Sequence, residues 1–238
     1  MTLSRLWLWR WDRYTRYSPV IKYLKDTYGS GNLSILEVGS GDYSLSLYDG
    51  YVVDGLDLTK PANVCAVRKF YNESILETTL KSDTYDIVVC VDTLEHILSD
   101  LRVNALRKML SICKKELILV YPSGQNAIDS DFELYEFYKR HIGKNHRWFM
   151  EHKELGVPTE NDLEKYLLDL KVVGKNFTVQ KLFLTDLNKL RIYAKFMMSK
   201  SYFRFLIKNK LVFLFDYFFG SLIKSNKYYR RFVIISIK

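Results

Sequence analysis

Cysteine, proline and glycine are scarce in this chain of 238 residues, which has 3 Cys, 4 Pro and 11 Gly. This composition excludes collagen-like chains and chains made mainly of flexible linker. The cysteines, Cys65, Cys90 and Cys113, lie far apart and form no C-x-x-C pair. Two of them lie in apolar runs, so we expect buried, reduced thiols rather than disulfides or a cysteine-based metal site.

Long apolar segments are absent as well. Residues 1–17 interleave tryptophan with arginine and contain no uninterrupted apolar stretch of the kind that a secretory signal requires. The most apolar later segment, 211–223, is too short to span a membrane as a helix and includes Asp216. We therefore expect a cytoplasmic protein.

Apolar and aromatic residues are plentiful, at 48% and 15% of the chain. This supports one large domain or two small ones and excludes disorder for most of the chain. Apolar runs alternate with amphipathic stretches, which predicts an α/β fold with a parallel sheet and right-handed crossovers. The predicted strands cover 34–38, 51–58, 64–71, 85–91, 116–121, 177–184 and 230–237, and the predicted helices cover 15–28, 101–112, 159–170 and 187–225. Thr159, with Asp162 three residues later, predicts the N-cap of the third helix.

Acidic residues become rare toward the C-terminus, so the net charge of +9 is unevenly distributed. Residues 1–31 carry a net +4, residues 32–186 a net −6, and residues 187–238 a net +11. The basic end suggests contact with phosphate, a lipid head group or nucleic acid. Segment 187–225 is also aromatic; we favour a lid over a substrate cleft, with a dimer surface or peripheral membrane contact as alternatives.

The most informative segment is a short apolar strand that ends in glycines. Gly39 and Gly41 would let the backbone approach a ligand closely, and Asp57 ends the next strand, where a carboxylate can accept ribose hydroxyls. A dinucleotide or S-adenosylmethionine uses such a site. A dinucleotide site needs a third glycine where this chain has Ser44. Glu37 would repel a pyrophosphate but suits the ammonium group of a methionine moiety.

Three motifs together resemble the class I S-adenosylmethionine-dependent methyltransferases, in particular the broad small-molecule (methyltransferase type 11-like) group. They are EVGSG at 37–41, Asp57 after the second strand, and YDIVVCVDTLEH at 85–96 around the fourth. The resemblance is specific over residues 30–125 and weaker beyond. It implies a Rossmann-like three-layer sandwich with a mostly parallel, seven-stranded sheet, a helical insertion and an antiparallel last strand, here 230–237.

On this basis we divide the chain into four parts. They are an N-terminal helical segment (1–30), an S-adenosylmethionine-binding core (31–186), a basic aromatic helical insertion that forms a lid or cap (187–225), and the final strand of the core sheet (226–238). The resemblance does not indicate an oligomeric state.

The resemblance also implies S-adenosylmethionine as cofactor. The residues expected along its methionine part are Glu37, Gly39, Ser40 and Gly41. Asp57 is expected to bind the ribose, and Leu58 to flank the adenine.

Two further pairs of positions follow from the same resemblance. Asp92 and Thr93, at the end of strand four, are expected beside the sulfonium and the incoming acceptor. An acid usually lies beside the adenine amino group after strand three, and here either Glu73 or Ser74 takes that place.

Histidines supply the candidates for catalysis. His96 is interpreted as a general base, as a metal ligand together with Glu95, or as a helix-start residue bonded to the backbone. His146 and His152 are further base candidates and lie after strand five, where this fold builds its substrate wall.

A second group of histidines, His141, His146 and His152, suggests zinc at first sight. Their spacing does not place all three on one helix face and no cysteine is near, so we predict no metal. Substrate contact is expected for His146, Trp148 and His152, with packing of an exposed loop as the alternative.

The motifs argue against several kinds of methyl transfer. The segment 92–95 is not the Asn/Asp-Pro-Pro-Tyr run of enzymes that methylate base amines, and Pro122 is followed by Ser123 instead of the cysteine used at pyrimidine carbon 5. Arginine methyltransferases usually show two glutamates where Glu95 stands alone. We expect transfer to an oxygen or nitrogen of a small-molecule, sugar or lipid-linked acceptor; the alternatives are an RNA acceptor held by the basic tail, or a non-catalytic binding module.

Overall fold

The computed structural model describes residues 11–29, 31–49, 51–60, 67–198 and 202–238. Its helices are α1 (Trp11–Tyr28), α2 (Ser46–Asp49), α3 (Arg102–Ile112), α4 (Gly124–Ile142), α5 (Arg147–Leu155), α6 (Glu160–Leu170), α7 (Leu187–Met197) and α8 (Tyr202–Phe219). Its strands are β1 (Ile35–Val38), β2 (Val53–Leu56), β3 (Phe70–Tyr71), β4 (Tyr85–Val91), β5 (Cys113–Pro122), β6 (Phe177–Asp186) and β7 (Tyr228–Ile237). Short 3-10 turns cover Leu94–His96 and Lys171–Val173.

These strands form one sheet in the order β3-β2-β1-β4-β5-β7-β6. β1 to β5 run parallel to their neighbours, whereas β7 is antiparallel to both β5 and β6. The predicted fold class is confirmed, including the helices α7 and α8 before the antiparallel last strand. The order places β1 beside β4, where the direction of winding reverses, and ligands bind at the carboxyl ends of the strands at such a point.

The central strands are apolar on both faces because helices cover the sheet on both sides. On one face α3 and α6 pack on the sheet through buried residues such as Leu106 and Leu163. On the other face α1 contributes Val20 and Leu24, both completely buried. The packing of α1 fixes its polar side chains beside the carboxyl ends of β1 and β4.

Two smaller predictions are confirmed. Thr159 caps α6, since its Oγ1 accepts a hydrogen bond from Asp162 N at 3.2 Å while Asp162 Oδ2 accepts one from Thr159 N at 2.8 Å. Cys90 and Cys113 are buried free thiols. Cys65 lies outside the described residues.

The structure differs from the sequence prediction in three places. Helices α4 and α5 occupy residues for which we predicted no helix. Each ends with basic residues in its last turn and a glycine after it, Gly143 and Gly156, which are usual signals of a helix C-terminus, but neither has a side-chain hydrogen bond at its N-cap. The helix predicted from residue 15 is already formed at Trp11, with Pro19 inside it. The strand predicted at 64–71 is reduced to β3, and residues 61–66 lie outside the described part.

Cations of the basic C-terminal region pair mainly with acids of the middle of the chain. Among the described residues these pairs are Arg191–Glu133, Lys195–Glu133, Arg230–Asp92 and Arg231–Glu160, whereas Lys189 pairs with Asp216 inside the C-terminal region itself. The uneven charge distribution in the sequence therefore reflects, in part, ion pairs that join these two regions in the fold. Among the described helices, none combines the length and apolar character that crossing a membrane requires.

Candidate active site

β1 ends in a turn that depends on glycine. Gly39 and Gly41 have φ angles of +77° and +46°, a left-handed backbone that glycine adopts without strain. A Cβ at Gly39 would overlap the side chain of Thr93, which follows β4. Thr93 donates a hydrogen bond to Val91 O at 3.1 Å. The turn thus brings the backbone after β1 against the end of β4.

Glu37 lies beneath this turn and is only 1% exposed. Its carboxyl accepts hydrogen bonds from Ser44 Oγ and Leu45 N, both at 2.7 Å, and lies 2.8 Å from the hydroxyl of Tyr17 on α1. Burial raises the pKa of Glu37 to about 7, although these donors and Arg16 oppose the shift. The carboxyl therefore ties the turn to α1, and its contact with a cofactor ammonium stays a prediction.

The predicted ribose and adenine residues lie at the ends of β2 and β3. Asp57 Oδ2 accepts a hydrogen bond from Gly41 N at 3.0 Å, and its Oδ1 accepts one from Thr59 N at 2.9 Å. Leu58 is 74% exposed and is free to flank a ligand. Of the two alternatives after strand three, Glu73 accepts a hydrogen bond from the Thr78 hydroxyl and Ser74 one from Leu76 N.

A cavity of about 990 Å³ opens beside the glycine turn and is lined by residues from both ends of the chain. Of the predicted site residues, it is lined by Gly39, Ser40, Gly41, Asp92, His96, His146, Trp148 and His152. The remaining predicted site residues do not line the cavity; they are Glu37, Asp57, Leu58, Glu73, Ser74 and Thr93. We call Gly39, Ser40, Gly41 and Asp57 the turn side of this site, and Asp92, Glu95, His96, Asp131 and His152 the helix side.

Asp92 is held by two arginines. Its Oδ2 accepts a hydrogen bond from Arg16 Nη1 at 2.9 Å, and its two oxygens accept others from Arg230 at 2.8 and 2.7 Å. Burial alone would raise the pKa of Asp92, but Arg230 and Arg16 hold it well below its usual range. Asp92 is therefore ionised, in a left-handed conformation with a φ of +46°, and its oxygens are already bonded.

His152 belongs to a chain of hydrogen bonds that joins α5, α4 and β7. Its Nδ1 lies 2.7 Å from Asp131 Oδ2, and the hydroxyl of Tyr229 donates to Asp131 Oδ1 at 2.6 Å. Burial lowers the pKa of His152, but Asp131, together with the charges of Glu95 and Asp92, outweighs this effect, so the net pKa lies above its usual value. Asp131 thus fixes the orientation of the imidazole.

Glu95 and His96 lie on the 3-10 turn that follows β4. Glu95 is 1% exposed, and its Oε2 has no hydrogen-bond partner among the described residues. Burial and the charge of Asp92 raise the pKa of Glu95 to about 8. His96 Nδ1 lies 3.0 Å from Glu151 Oε2, at an angle short of a hydrogen bond, and its ring centroid is 5.2 Å from that of His152.

His141 and His146, the other two histidines of the 141–152 cluster, do not join His152 at one site. His146 precedes α5 and packs against Tyr138 and Phe149, with 4.8 Å between ring centroids in each pair. Burial and the nearby His152 lower the pKa of His146. Trp148 is 57% exposed at the cavity rim, whereas His141 is exposed at the end of α4 and does not line the cavity. The three histidines of this cluster therefore do not converge on one point.

Four residues of the site were not predicted from the sequence: Arg16, Asp131, Tyr229 and Arg230. Arg16 and Arg230 reach Asp92 from positions 76 and 138 residues away in the chain. One signal was available for Arg230, because a charged residue that opens an otherwise apolar strand needs a partner when it is buried. Asp131 could not be assigned to the site, because the helix that carries it was not predicted.

Comparisons with solved structures identify the fold. The chain is similar to magnesium protoporphyrin IX methyltransferase from Synechocystis PCC 6803, solved with S-adenosylhomocysteine, at 16% identity and a TM-score of 0.52 over 93% of this chain and 82% of that one. It is also similar to the plantazolicin methyltransferase BpumL, solved in complex with S-adenosylhomocysteine. The identity is 12% and the TM-score 0.59, over 95% of this chain and 84% of BpumL. A third similar structure is the YcgJ protein from Bacillus subtilis, with 15% identity and a TM-score of 0.54 over 93% of this chain and 98% of YcgJ. The sequence matches no protein-family profile and no curated protein. The chain thus has the fold of the class I S-adenosylmethionine-dependent methyltransferases.

Proposed function

We propose that the protein transfers a methyl group from S-adenosylmethionine to an oxygen or nitrogen atom of a small-molecule, sugar or lipid-linked acceptor. The observation that carries this proposal is that the glycine turn, with Asp57 bonded to Gly41, adjoins the cavity that contains His96 and His152. Two structural neighbours were solved with S-adenosylhomocysteine, which supports the same choice of cofactor.

The turn side fits that cofactor by its chemistry. The backbone of Gly39 and Gly41 carries no side chain that would block a ligand, and the Asp57 carboxylate at the end of β2 can accept ribose hydroxyls. Leu58, Glu73 and Ser74 lie beyond it, where the adenine would be held. The bound cofactor would supply an electrophilic methyl group on a sulfonium.

The helix side fits a small acceptor. A cavity of about 990 Å³ is large enough for a drug-sized molecule, and its walls combine aromatic and polar groups. Methyl transfer is an in-line displacement, so holding the acceptor atom in line and excluding water supplies much of the acceleration. We propose that His96 and His152, which line the cavity, contact the acceptor group there, with His152 oriented by Asp131.

An RNA acceptor held by the basic end has weaker support. Lys189, Arg191 and Lys195 of α7 all pair with acids of the same chain. Cations that are already paired have less to gain from phosphate contact. We also keep the division into a core and a lid formed by 187–225 as a proposal, supported by the contribution of Leu190 and Tyr193 to the cavity wall.

Isothermal titration with S-adenosylhomocysteine tests the proposal, with NAD as the control ligand. We expect micromolar binding of S-adenosylhomocysteine and none of NAD. Asp57→Ala should weaken binding about 10-fold or more, as expected for loss of hydrogen bonds to a carboxylate. Asp129→Ala, which removes an exposed acid on α4, is the matched control and should bind normally. A folded protein that binds no S-adenosylhomocysteine would contradict the proposal.

A further inference from the structure

We infer that Glu95, His96 and His152 bind a divalent transition-metal ion on the helix side of the cavity, and that this ion binds a hydroxyl oxygen of the acceptor. One ligand atom from each residue lies within 4.8 Å of the other two. Two imidazoles and one carboxylate are a common ligand set for ions such as Zn²⁺ and Mn²⁺. The role of the ion rests on the proposed function, but its binding can be measured separately.

The state of Glu95 is the first observation behind this inference. Its carboxyl is buried, and its Oε2 has no partner in the part of the chain that the structure describes. Burying such a group without a partner is costly, and a metal ion would remove the cost. The nearby Asp92 shows the contrast, because two arginines bond its oxygens and make it unsuited as a ligand.

The environment of the two imidazoles is the second observation. Asp131 bonds Nδ1 of His152, which leaves Nε2 as its ligand atom. Glu151 Oε2 lies 3.0 Å from Nδ1 of His96, without a hydrogen bond in this structure, so a small rotation of the ring would give His96 the same kind of support. A carboxylate on the far nitrogen is the usual support of a metal-binding histidine, since it fixes the ring and raises its basicity. Tyr229 in turn holds Asp131, so this support reaches into the sheet.

This set differs from the histidine cluster that the sequence presents. Of His141, His146 and His152, only His152 takes part, and the other ligands come from the turn after β4. Bringing ligand atoms from within 4.8 Å to the roughly 3.3 Å separation of a tetrahedral site requires only small side-chain shifts. The inferred site therefore departs from the sequence-based prediction of no metal.

Three protein ligands leave at least one position for water or substrate, as in catalytic metal sites. An ion there would lower the pKa of an acceptor hydroxyl, which favours oxygen over nitrogen as the methylated atom. In the transfer, the hydroxyl loses its proton to solvent and its oxygen forms a bond to the methyl carbon. The electron pair of the breaking carbon–sulfur bond stays on sulfur, which becomes a neutral thioether.

Titration of the chelator-treated protein with Co²⁺, followed by visible absorption, tests the site without methyl transfer. We expect one ion per chain, with bands typical of nitrogen and oxygen ligands. Glu95→Gln and His152→Asn should each weaken binding by about 100-fold or more, and Asp131→Asn by roughly 10–100-fold. His141→Asn is the matched control, because it removes an exposed histidine outside the cavity, and it should bind Co²⁺ like the unaltered protein.

Absence of saturable Co²⁺ binding, or equal binding by Glu95→Gln and His152→Asn, would overturn the inference. Circular dichroism identifies variants that fail to fold. If the ligand variants do not fold, Asp131→Asn tests the site instead, because it retains all three ligands, and Co²⁺ binding equal to that of the unaltered protein would then overturn the inference. S-adenosylhomocysteine binding is measured on the same samples. A protein that binds S-adenosylhomocysteine but no Co²⁺ refutes the metal site and keeps the proposed function, while the opposite result keeps the metal site and refutes the proposed function.

Discussion

The turn side and the helix side of the site are assembled in different ways. The turn side comes from the ends of the neighbouring strands β1 and β2, and its form depends on backbone conformation at Gly39 and Gly41. The helix side joins residues from the turn after β4, from α4 and from α5, with partners on α1 and β7. A site that depends on backbone conformation can therefore be local in sequence, whereas one that depends on side-chain contacts can be dispersed along the chain.

The two sides also differ in how they handle charge. On the turn side, Asp57 bonds to backbone amides and remains partly exposed. On the helix side, Asp92, Arg16 and Arg230 form a buried network. Removal of one member of a buried network leaves an uncompensated charge, which costs far more than removal of an exposed one. Substitutions on the helix side should therefore affect the stability of the fold as well as the site.

Gly39→Val should have the largest effect, because it fills the turn itself. The new side chain would overlap Thr93, and valine would be forced into a left-handed backbone conformation. The two effects together should lower the free energy of unfolding by about 4 kcal/mol. Binding of S-adenosylhomocysteine should be lost. Urea unfolding and calorimetric titration measure the two effects.

Gly143→Ala is the control for this substitution. Gly143 has a φ of +74°, yet nothing within 4 Å would meet a Cβ there. Only backbone strain should remain, about 1 kcal/mol, with unchanged ligand binding. Equal effects of the two substitutions would contradict the close approach of the turn to Thr93.

Arg230→Met should have the next largest effect and should act on the helix side. It leaves Asp92 buried with Arg16 alone, which should lower the free energy of unfolding by about 3 kcal/mol. Arg231→Met is the control, because Arg231 pairs with the more exposed Glu160. This substitution should lower the free energy of unfolding by about 1 kcal/mol. Similar losses, measured by urea unfolding, would argue against the buried network.

Glu37→Gln should change the pH dependence of stability. The pKa of Glu37 is raised from 4.5 to about 7 in the folded protein, so the folded state keeps a proton that the unfolded state loses. The free energy of unfolding should therefore fall as the pH rises from 4.5 to 7, by up to about 3 kcal/mol from this group. Glu37→Gln should remove that decrease, whereas Glu154→Gln on the exposed face of α5 should retain it. An identical pH profile for Glu37→Gln and the unaltered protein would refute the shift.

Thr159→Ala should have the smallest effect, because α6 belongs to neither side of the cavity. Loss of the N-cap hydrogen bond should lower the free energy of unfolding by about 1 kcal/mol. Binding of S-adenosylhomocysteine should not change. Thr159→Ser keeps the capping oxygen and should lose little stability. A loss of binding in Thr159→Ala would mean that general destabilisation, and not local contact, governs binding in the other variants.

The difference between the two sides explains what could be predicted from the sequence. Gly39, Gly41 and Asp57 lie at strand ends whose apolar pattern is visible, and parallel strands bring such ends together. The sheet, the helical insertion and the N-cap at Thr159 followed from the same local patterns. The resemblance to a known family added the antiparallel last strand.

The helix side could not be predicted because its contacts depend on the assembled fold. No local pattern relates Arg16 or Arg230 to Asp92, since the partners lie 76 and 138 residues away. Asp131 lies on α4, which we did not predict although basic residues and Gly143 mark its C-terminal end, and its bond to His152 depends on how α4 and α5 pack together. His96 and His152 were identified as candidates by residue type alone, and the fold supplied their proximity.

Hydrogen exchange measured by mass spectrometry, with and without S-adenosylhomocysteine, tests directly whether the turn side binds the cofactor. We expect slower amide exchange at residues 39–45 and 57–59 when the ligand is bound, with a smaller change at 146–155 on the helix side. Unchanged exchange at the first two segments, or protection confined to α7, would contradict it.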